Sequence, residues 1–449
     1  MSQLSRGLGR RATALTAGAA VLALALAACS GGNAAKSSTA TAGPQEVTFL
    51  THWGPEQVTQ LEAAAAAFKK LEPNITVKVQ AVPFANLLST LRTQGASANG
   101  PTIASIYSLW LPELVRDSIA AKAPADVATN LKANWPQNLV DAVSSNGTAY
   151  GIPNEVDLYE LNYNTKLFAA AGISSPPATF SELVADAKKL TNKAQGRQGF
   201  GVITNWDSGV VHPFLSLVAS NGGSMLNAGG TKADLTSPQA KAVADLYAQL
   251  IKDGSTVPTM SAANANTTGP YLDNFTNGKT GMIIMANWWQ SALKTAMGGA
   301  YKDVATAPIP VGPSGTKSSS ISYNWLTMVN GNADPAKQKA AWQFLTFLNG
   351  PESGKNGSSA MADVLMGMGI LPSRTSDIKA HTSELSDPFL KAYVDGLPAA
   401  TPFPSVIGGA AATQALQTNI EALVFGKATS AEAMASANTS VDSALAAGK

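Results

Sequence analysis

The sequence predicts an α/β protein too large for one core. Three observations carry that expectation. Residues 47–79 read as strand, helix and strand, a βαβ unit whose two strands should lie parallel as neighbours. Removing an apolar leader of 28 residues from the 449 leaves 421, whereas single cores stop growing at about 250–300 residues. No second apolar run is long enough to cross a membrane, so the apolar residues of residues 45–449 must be buried against one another.

The leader comes first. Arg6, Arg10 and Arg11 precede an uncharged run from Ala12 to Ala28. That run is short and alanine-rich beside a membrane span, which takes about 20 strongly apolar residues. It reads as a secretory signal over residues 1–28. It closes on Leu26-Ala27-Ala28-Cys29, directly before the single cysteine of the chain. This resembles the bacterial lipobox, in which the cysteine is acylated and becomes the first mature residue; an ordinary signal with an incidental cysteine is the alternative. A lone cysteine in an exported protein has no disulfide partner. Residues 29–44 are small and polar with a single charge at Lys36, so they read as a flexible tether. Each buried methylene of an acyl chain contributes about 0.8 kcal/mol, so two or three chains would hold the protein at a membrane. Arg10-Arg11 leaves both the general and the twin-arginine export routes open.

Charge excludes several classes. The chain has 31 Lys+Arg and 29 Asp+Glu; the leader carries three of the arginines and no acid, so the mature balance is 28 to 29. No basic patch points to nucleic acid. His52, His212 and His381 are scattered, and no CxxC or HExxH occurs, which argues against a metal site. No cofactor motif appears.

Ordered structure should begin near Glu46. Val47–Leu50 is a buried strand, followed by the turn Thr51–Pro55 and a helix over 56–71 with Val58, Leu61, Ala65 and Phe68 on one face. Ile75–Val79 alternates as the second strand. In such folds ligands bind at the carboxyl ends of strands, where Trp53 falls, although it could equally be a core or lid residue. A helix over 84–94 leads to a strand at 101–107, which ends in Tyr107 and Trp110, again aromatics at a strand end. Residues 152–164 form a long extended run. Glu155 and Asp157 lie two apart in it and should share a face. Thr179 and Glu182 form a capping box that opens a helix reaching Leu190. A strand over 200–204 places Asn205-Trp206-Asp207 at its end, near His212, which reads as a structural hydrogen-bonder. An amphipathic helix covers 238–253, and two helices, 410–425 and 430–445, close the chain.

The segment YGIPNEVDLYELNYNTKLFAAAGISSPPATFSELVADAKKL resembles the extracellular solute-binding proteins of ABC importers, in the carbohydrate-binding family of maltodextrin-binding protein. Tyr163-Asn164, Ala171-Gly172 and Thr179–Leu183 match its pattern, with Phe180 where tryptophan is frequent. The stretches 274–289, 307–310, 340–348 and 369–374 resemble further segments of the same family. The resemblance runs from residue 46 to the C-terminus. It implies a two-lobed, type II periplasmic-binding-protein fold with discontinuous lobes, 45–155 with 320–368 and 156–319 with 369–449, joined by a hinge. It also implies a carbohydrate ligand in the cleft, an ABC permease as partner, a monomer, and a place on the outer face of the bacterial cytoplasmic membrane with the lipid at Cys29 as the only membrane contact.

Sugars stack their C–H faces on flat rings and direct hydroxyls to carboxylates and amides. The candidate binders are Trp53, Tyr107, Trp110, Glu155, Asp157, Trp206, Asp207, Trp288, Tyr323, Asn324 and Trp325. By position against the family's cleft motifs, Trp288 and Asp157 are foremost, with Glu155 the alternative acid. Trp289 reads as core, and the loop Pro402-Phe403-Pro404 could reach the cleft. Two other functions stay open: an exported glycoside hydrolase, which needs two carboxylates flanking the scissile bond, and a binder of a glycerol-phosphate-type polyol. Arg92, Arg116, Arg197 and Arg374 are the only arginines left after export, few for a phosphate site.

Overall fold

In the computed structural model, which describes residues 43–206, 208–261 and 269–448, β1 (Gln45–Thr51) and β2 (Ile75–Ala81) pair in parallel from Gln45 opposite Ile75 to Thr51 opposite Ala81. The helix Pro55–Leu71 joins them. Pro55 opens it, where a missing N–H goes unnoticed, and Leu61, Ala64, Ala65 and Phe68 are its buried face. Val58, expected on that face, is only half-buried; Ala64 takes the inner position instead. β3 (Ile103–Tyr107) lies on the other side of β1. A small hairpin, β4 (Ser144–Ser145) with β5 (Thr148–Ala149), precedes the longest strand, β6 (Ile152–Asn164).

The remaining strands are β7 (Gln198–Gly201), β8 (Thr280–Ala286), β9 (Val304–Ala307), β10 (Ile321–Val329), β11 (Leu371–Pro372) and β12 (Thr401–Pro402). Among the described residues, ten strands form one mixed sheet, ordered β2-β1-β3-β10-β6-β8-β7, with β9 and β11 also on β6 and β12 on β10. Two strands hold this sheet together. The first half of β6 pairs with β10, and its second half pairs with β8 and β9. β10 in turn pairs with β3 through Trp325–Val329. The chain therefore passes between the two ends of the sheet through β6 and β10.

Local sequence explains the flanking helices. Thr179 accepts from the Glu182 backbone N–H, and the Glu182 carboxylate accepts from the Thr179 N–H, completing the expected capping box before Phe180–Leu190. The helix Pro238–Lys252 buries Val243, Leu246 and Leu250, and the chain closes with helices Gly409–Val424 and Ser430–Ala447. The strand expected over 200–204 stops at Gly201. Its pairing with β8 runs only from Gln198 opposite Thr280 to Gly201 opposite Ile283. One core, with Val47, Phe49, Phe68, Trp342 and Phe344, packs on β1–β3; a larger one gathers Phe200, Phe214, Leu246, Phe275 and Leu416.

Candidate ligand-binding site

Strand register decides which side chains meet. In antiparallel strands, residues directly opposite one another point to the same face. Trp325 of β10 stands opposite Tyr107 of β3 on one side and opposite Glu155 of β6 on the other. Tyr323 stands opposite Asp157. Tyr107, Trp325, Tyr323, Glu155 and Asp157 thus share one face of three adjacent strands.

Rings cover that face. The Tyr107 ring stacks on Trp325 with centroids 5.9 Å apart, and His52 stacks on the same indole at 4.3 Å. Phe84 packs on both Trp110 and Trp325. His212 lies flat on Tyr323 at 4.8 Å, with Phe403 edge-on to it. The His212 ring nitrogens bond to the Tyr107 hydroxyl at 3.0 Å and the Tyr159 hydroxyl at 3.2 Å. Burial lowers the His212 pKa to about 3, so the ring is neutral, with one nitrogen donating and the other accepting. His52 is likewise lowered by burial, to about 4. The indole N–H of Trp288 donates to the Tyr323 hydroxyl at 2.6 Å, and Trp206 meets Trp288 edge-on at 5.5 Å while lying parallel to Tyr271 at 5.8 Å.

Trp206 is held by its own loop. Asn205 and Ser208 both have positive φ, 57° and 62°, rare for residues other than glycine. Gly209 lies directly under the indole: a Cβ there would come within 2.1 Å of its ring. The loop is tied to the Gly409–Val424 helix through Glu421, which accepts from the Asn205 N–H at 2.9 Å, and Gln417, which accepts from the Ser208 N–H.

The carboxylates beneath the rings are almost fully buried, Glu155 to 3% exposure and Asp157 to 1%. Burial raises the Glu155 pKa well above its ordinary value, and the Asp157 charge adds to this. Burial raises Asp157 to about 7, against the Asn287 amide, which donates to it at 2.9 Å. Asn287 also donates to the Gly369 carbonyl at 3.1 Å and accepts from the Leu158 N–H. Gly369 is required there by its φ of 77° and by the Gln290 side chain, 2.7 Å from where a Cβ would sit. Among the described residues neither carboxylate has an ion-pair partner. Glu155 Oε2, His52 Nδ1 and Trp206 Nε1 are buried polar atoms with no hydrogen-bond partner. Such orphans cost free energy unless something arrives to satisfy them.

A cavity of about 450 Å³ opens beside the rings, lined by Phe84, Leu88, Arg92, Trp110, Ser208 and Ala410. A cavity of about 530 Å³ lies at the β4–β5 hairpin, with Lys132 and Asp141 but no aromatic ring in its wall; the former takes only Phe84 and Trp110 from the ring bank, and neither Glu155 nor Asp157 lines it. Among the described residues no group of three His, Cys, Asp or Glu gathers to hold a metal ion.

Of the residues expected at the site, the structure brings together Tyr107, Trp110, Glu155, Asp157, Trp206, Trp288, Tyr323 and Trp325. Trp53 stands apart: it packs near Phe49 in the core under β1, and the preceding His52 faces the rings in its place. Asn324 pairs with Val156, so alternation turns it to the opposite face from Tyr323 and Trp325. Asp207 and Cys29 lie outside the described residues. Trp289 is fully buried core against Phe275. His52, Phe84, Tyr159 and Asn287 were not singled out by sequence. Asn287 directly follows a strand end beside Trp288, and His52 directly precedes Trp53, so nearness to a strand's carboxyl end was the available signal.

A match to the bacterial extracellular solute-binding protein family spans residues 54–355. The chain belongs to that family. This solute-binding protein is 28% identical over 334 residues to a binding protein of Brucella abortus, covering 74% of this chain and 76% of the relative. It is 24% identical to the diacetylchitobiose binding protein DasA of Streptomyces coelicolor over 73% of this chain and 75% of that one. Its fold superimposes on that of the maltose-bound T. maritima MalE3 with a TM-score of 0.76 at 22% identity, covering 88% of this chain and 98% of the other. The fold is therefore the two-lobed binding-protein fold expected from sequence.

Proposed function

We propose that this protein captures a mono- or oligosaccharide in the crevice between its lobes and delivers it to the permease of an ABC importer, without transforming it. One observation carries the reading: a bank of rings lies over two buried carboxylates on one sheet face, with unpartnered polar atoms among them. Ring faces suit the C–H surfaces of a sugar, and the orphan groups suit its hydroxyls. The diacetylchitobiose and maltose named for its relatives are of the same chemical class. The lobes are taken as 45–155 with 320–368 and 156–319 with 369–449, joined within β6, just before β10 and at residues 368–369, and closure between them as the event the permease reads.

A hydrolase is disfavoured by geometry. Its two carboxylates must flank a bond, whereas Glu155 and Asp157 lie two apart on one strand and one face. A phosphate ligand is disfavoured because Arg92, which lines the cavity, is already paired with Glu113, and Arg374 lies over the Trp135 ring. Thermal unfolding against a panel of sugars tests the function, since a ligand bound only by the folded state raises the midpoint. At least one sugar should stabilise the protein with no product formed, and Trp288→Ala should weaken its binding at least tenfold while the fold is kept. Turnover of any sugar would overturn the receptor reading; unchanged affinity in the variant would remove Trp288 from the site.

Acylation at Cys29 is proposed to hold this protein, as a monomer, at the outer face of the membrane. Cells expressing Cys29→Ala should release the protein into the soluble fraction. A variant that still pellets with membranes would contradict the anchor.

A further inference from the structure

We propose that Gln417 and Glu421 are positioning residues for the ring bank: from the helix Gly409–Val424 they hold the strained loop that sets Trp206 against Trp288. The inference rests on the reading of Trp288 as a sugar-binding ring and names what fixes that ring's place. Trp288 is partly exposed, whereas Trp206 and Tyr323, which touch it, are buried. Its N–H is held on the Tyr323 hydroxyl, and Trp206 meets its indole edge-on. A shift of Trp206 therefore removes a wall that orients Trp288.

Trp206 has neither helix nor strand of its own. β7 ends at Gly201, and the next helix begins at Val211. Between them Asn205 and Ser208 hold positive φ, and Gly209 leaves the indole room that a Cβ would take. Such conformations persist only where the surroundings hold them. Here the holding groups stand 216 and 209 residues away in the chain. Glu421 accepts from the Asn205 N–H at 2.9 Å, and the Gln417 amide oxygen accepts from the Ser208 N–H at 3.2 Å. These two bonds straddle Trp206. Gln417 and Glu421 lie one helical turn apart, so they face the same way. The Gln417 amide also donates to Glu421 at 3.1 Å, which fixes its oxygen toward Ser208. Beyond the loop, the Ser208 carbonyl accepts from the N–H of His212, whose ring lies flat on Tyr323. Two side chains outside the bank thus set two rings within it.

The test uses the sugar that most stabilises the wild type in the thermal panel, with affinity read by titration calorimetry. Glu421→Ala should weaken binding about fivefold, the scale of one lost hydrogen bond. Glu421→Gln keeps an oxygen for the Asn205 N–H and should stay within about twofold of wild type. Glu421 is half-buried on a helix, where alanine is well tolerated, and the unfolding midpoint checks that the variant folds; Gln417→Ala is the second variant, with the same expected loss. A thermodynamic cycle separates positioning from mere bracing of the fold. In a Trp206→Ala background, Glu421→Ala should cost no further affinity. Equal loss in both backgrounds, or wild-type affinity in Glu421→Ala or Trp206→Ala, overturns the inference and leaves the sugar reading standing. If no sugar binds, the sugar reading falls, and near-ultraviolet circular dichroism of the ligand-free protein decides the rest. Glu421→Ala should then lose the same indole signal that Trp206→Phe loses; an unchanged spectrum overturns the positioning role.

Discussion

Asp157 has no ion-pair partner among the described residues, and that decides how it titrates. Burial raises its pKa to about 7 in the folded protein, from 3.8 when free. Between those values the folded state holds a proton that the unfolded state has released. Linkage then makes stability fall as pH rises through this window. Asp157→Asn removes the titration but keeps an oxygen for the Asn287 amide to donate to. The expected outcome, measured by thermal unfolding of the ligand-free protein, is that the variant gains on the wild type between pH 4 and pH 8: its midpoint relative to wild type is higher at pH 8. An identical difference at both pH values would show that Asp157 does not carry the strain. Glu155, raised by the same burial and by its neighbour's charge, adds a slope of the same sign that the variant leaves in place.

Elements with local causes were legible in the sequence, and those set by distant partners were not. The βαβ unit, the capping box at Thr179 and the long run 152–164 each follow from patterns in one continuous stretch of chain, and each is found. The shared face of Glu155 and Asp157 follows from the two-residue period alone. The helices Leu111–Arg116, Ala125–Asn134 and Gln137–Ala142 are six to ten residues long, too short to establish a helical period. Trp53 and His52 illustrate the limit at the site. Both sit just past β1; Trp53 packs near Phe49 of β1 itself, and it is Trp325, far away in the chain, whose contact shows that His52 faces the rings. Asn324 was grouped with its neighbours by position, although the same alternation that joins Tyr323 to Trp325 sets Asn324 apart. Asn287 escaped notice because its role depends on the approach of Gly369, 82 residues away.

At the scale of the whole molecule, the two halves of the sheet share β6 and β10, but a second set of contacts joins segments assigned here to opposite lobes. Glu113, buried in the first turn of the helix Leu111–Arg116 that follows β3, receives the Arg92 guanidinium on one oxygen and the Gly408 backbone N–H at 3.1 Å on the other. Beside it, Leu109 fills the space over Gly409, leaving no room for a Cβ there. Arg116 donates to the Gly448 carbonyl at 2.6 Å. These groups lie together only when the Gly409–Val424 helix rests against the turn after β3. If the lobes part, Gly408 and Arg92 are rehydrated at little cost, so removing Glu113 penalises the closed arrangement more than an open one. Leaving such groups buried without a partner costs about 1–3 kcal/mol. Ligand affinity scales with the fraction of protein in the binding-competent state. Glu113→Ala should therefore weaken ligand binding by about tenfold, chiefly through faster release, although Glu113 is not among the residues of the ring bank. Solution scattering should show a larger radius of gyration than wild type without ligand and the same radius at saturation. Unchanged affinity together with an unchanged radius would mean that Glu113 braces one lobe and takes no part in closure.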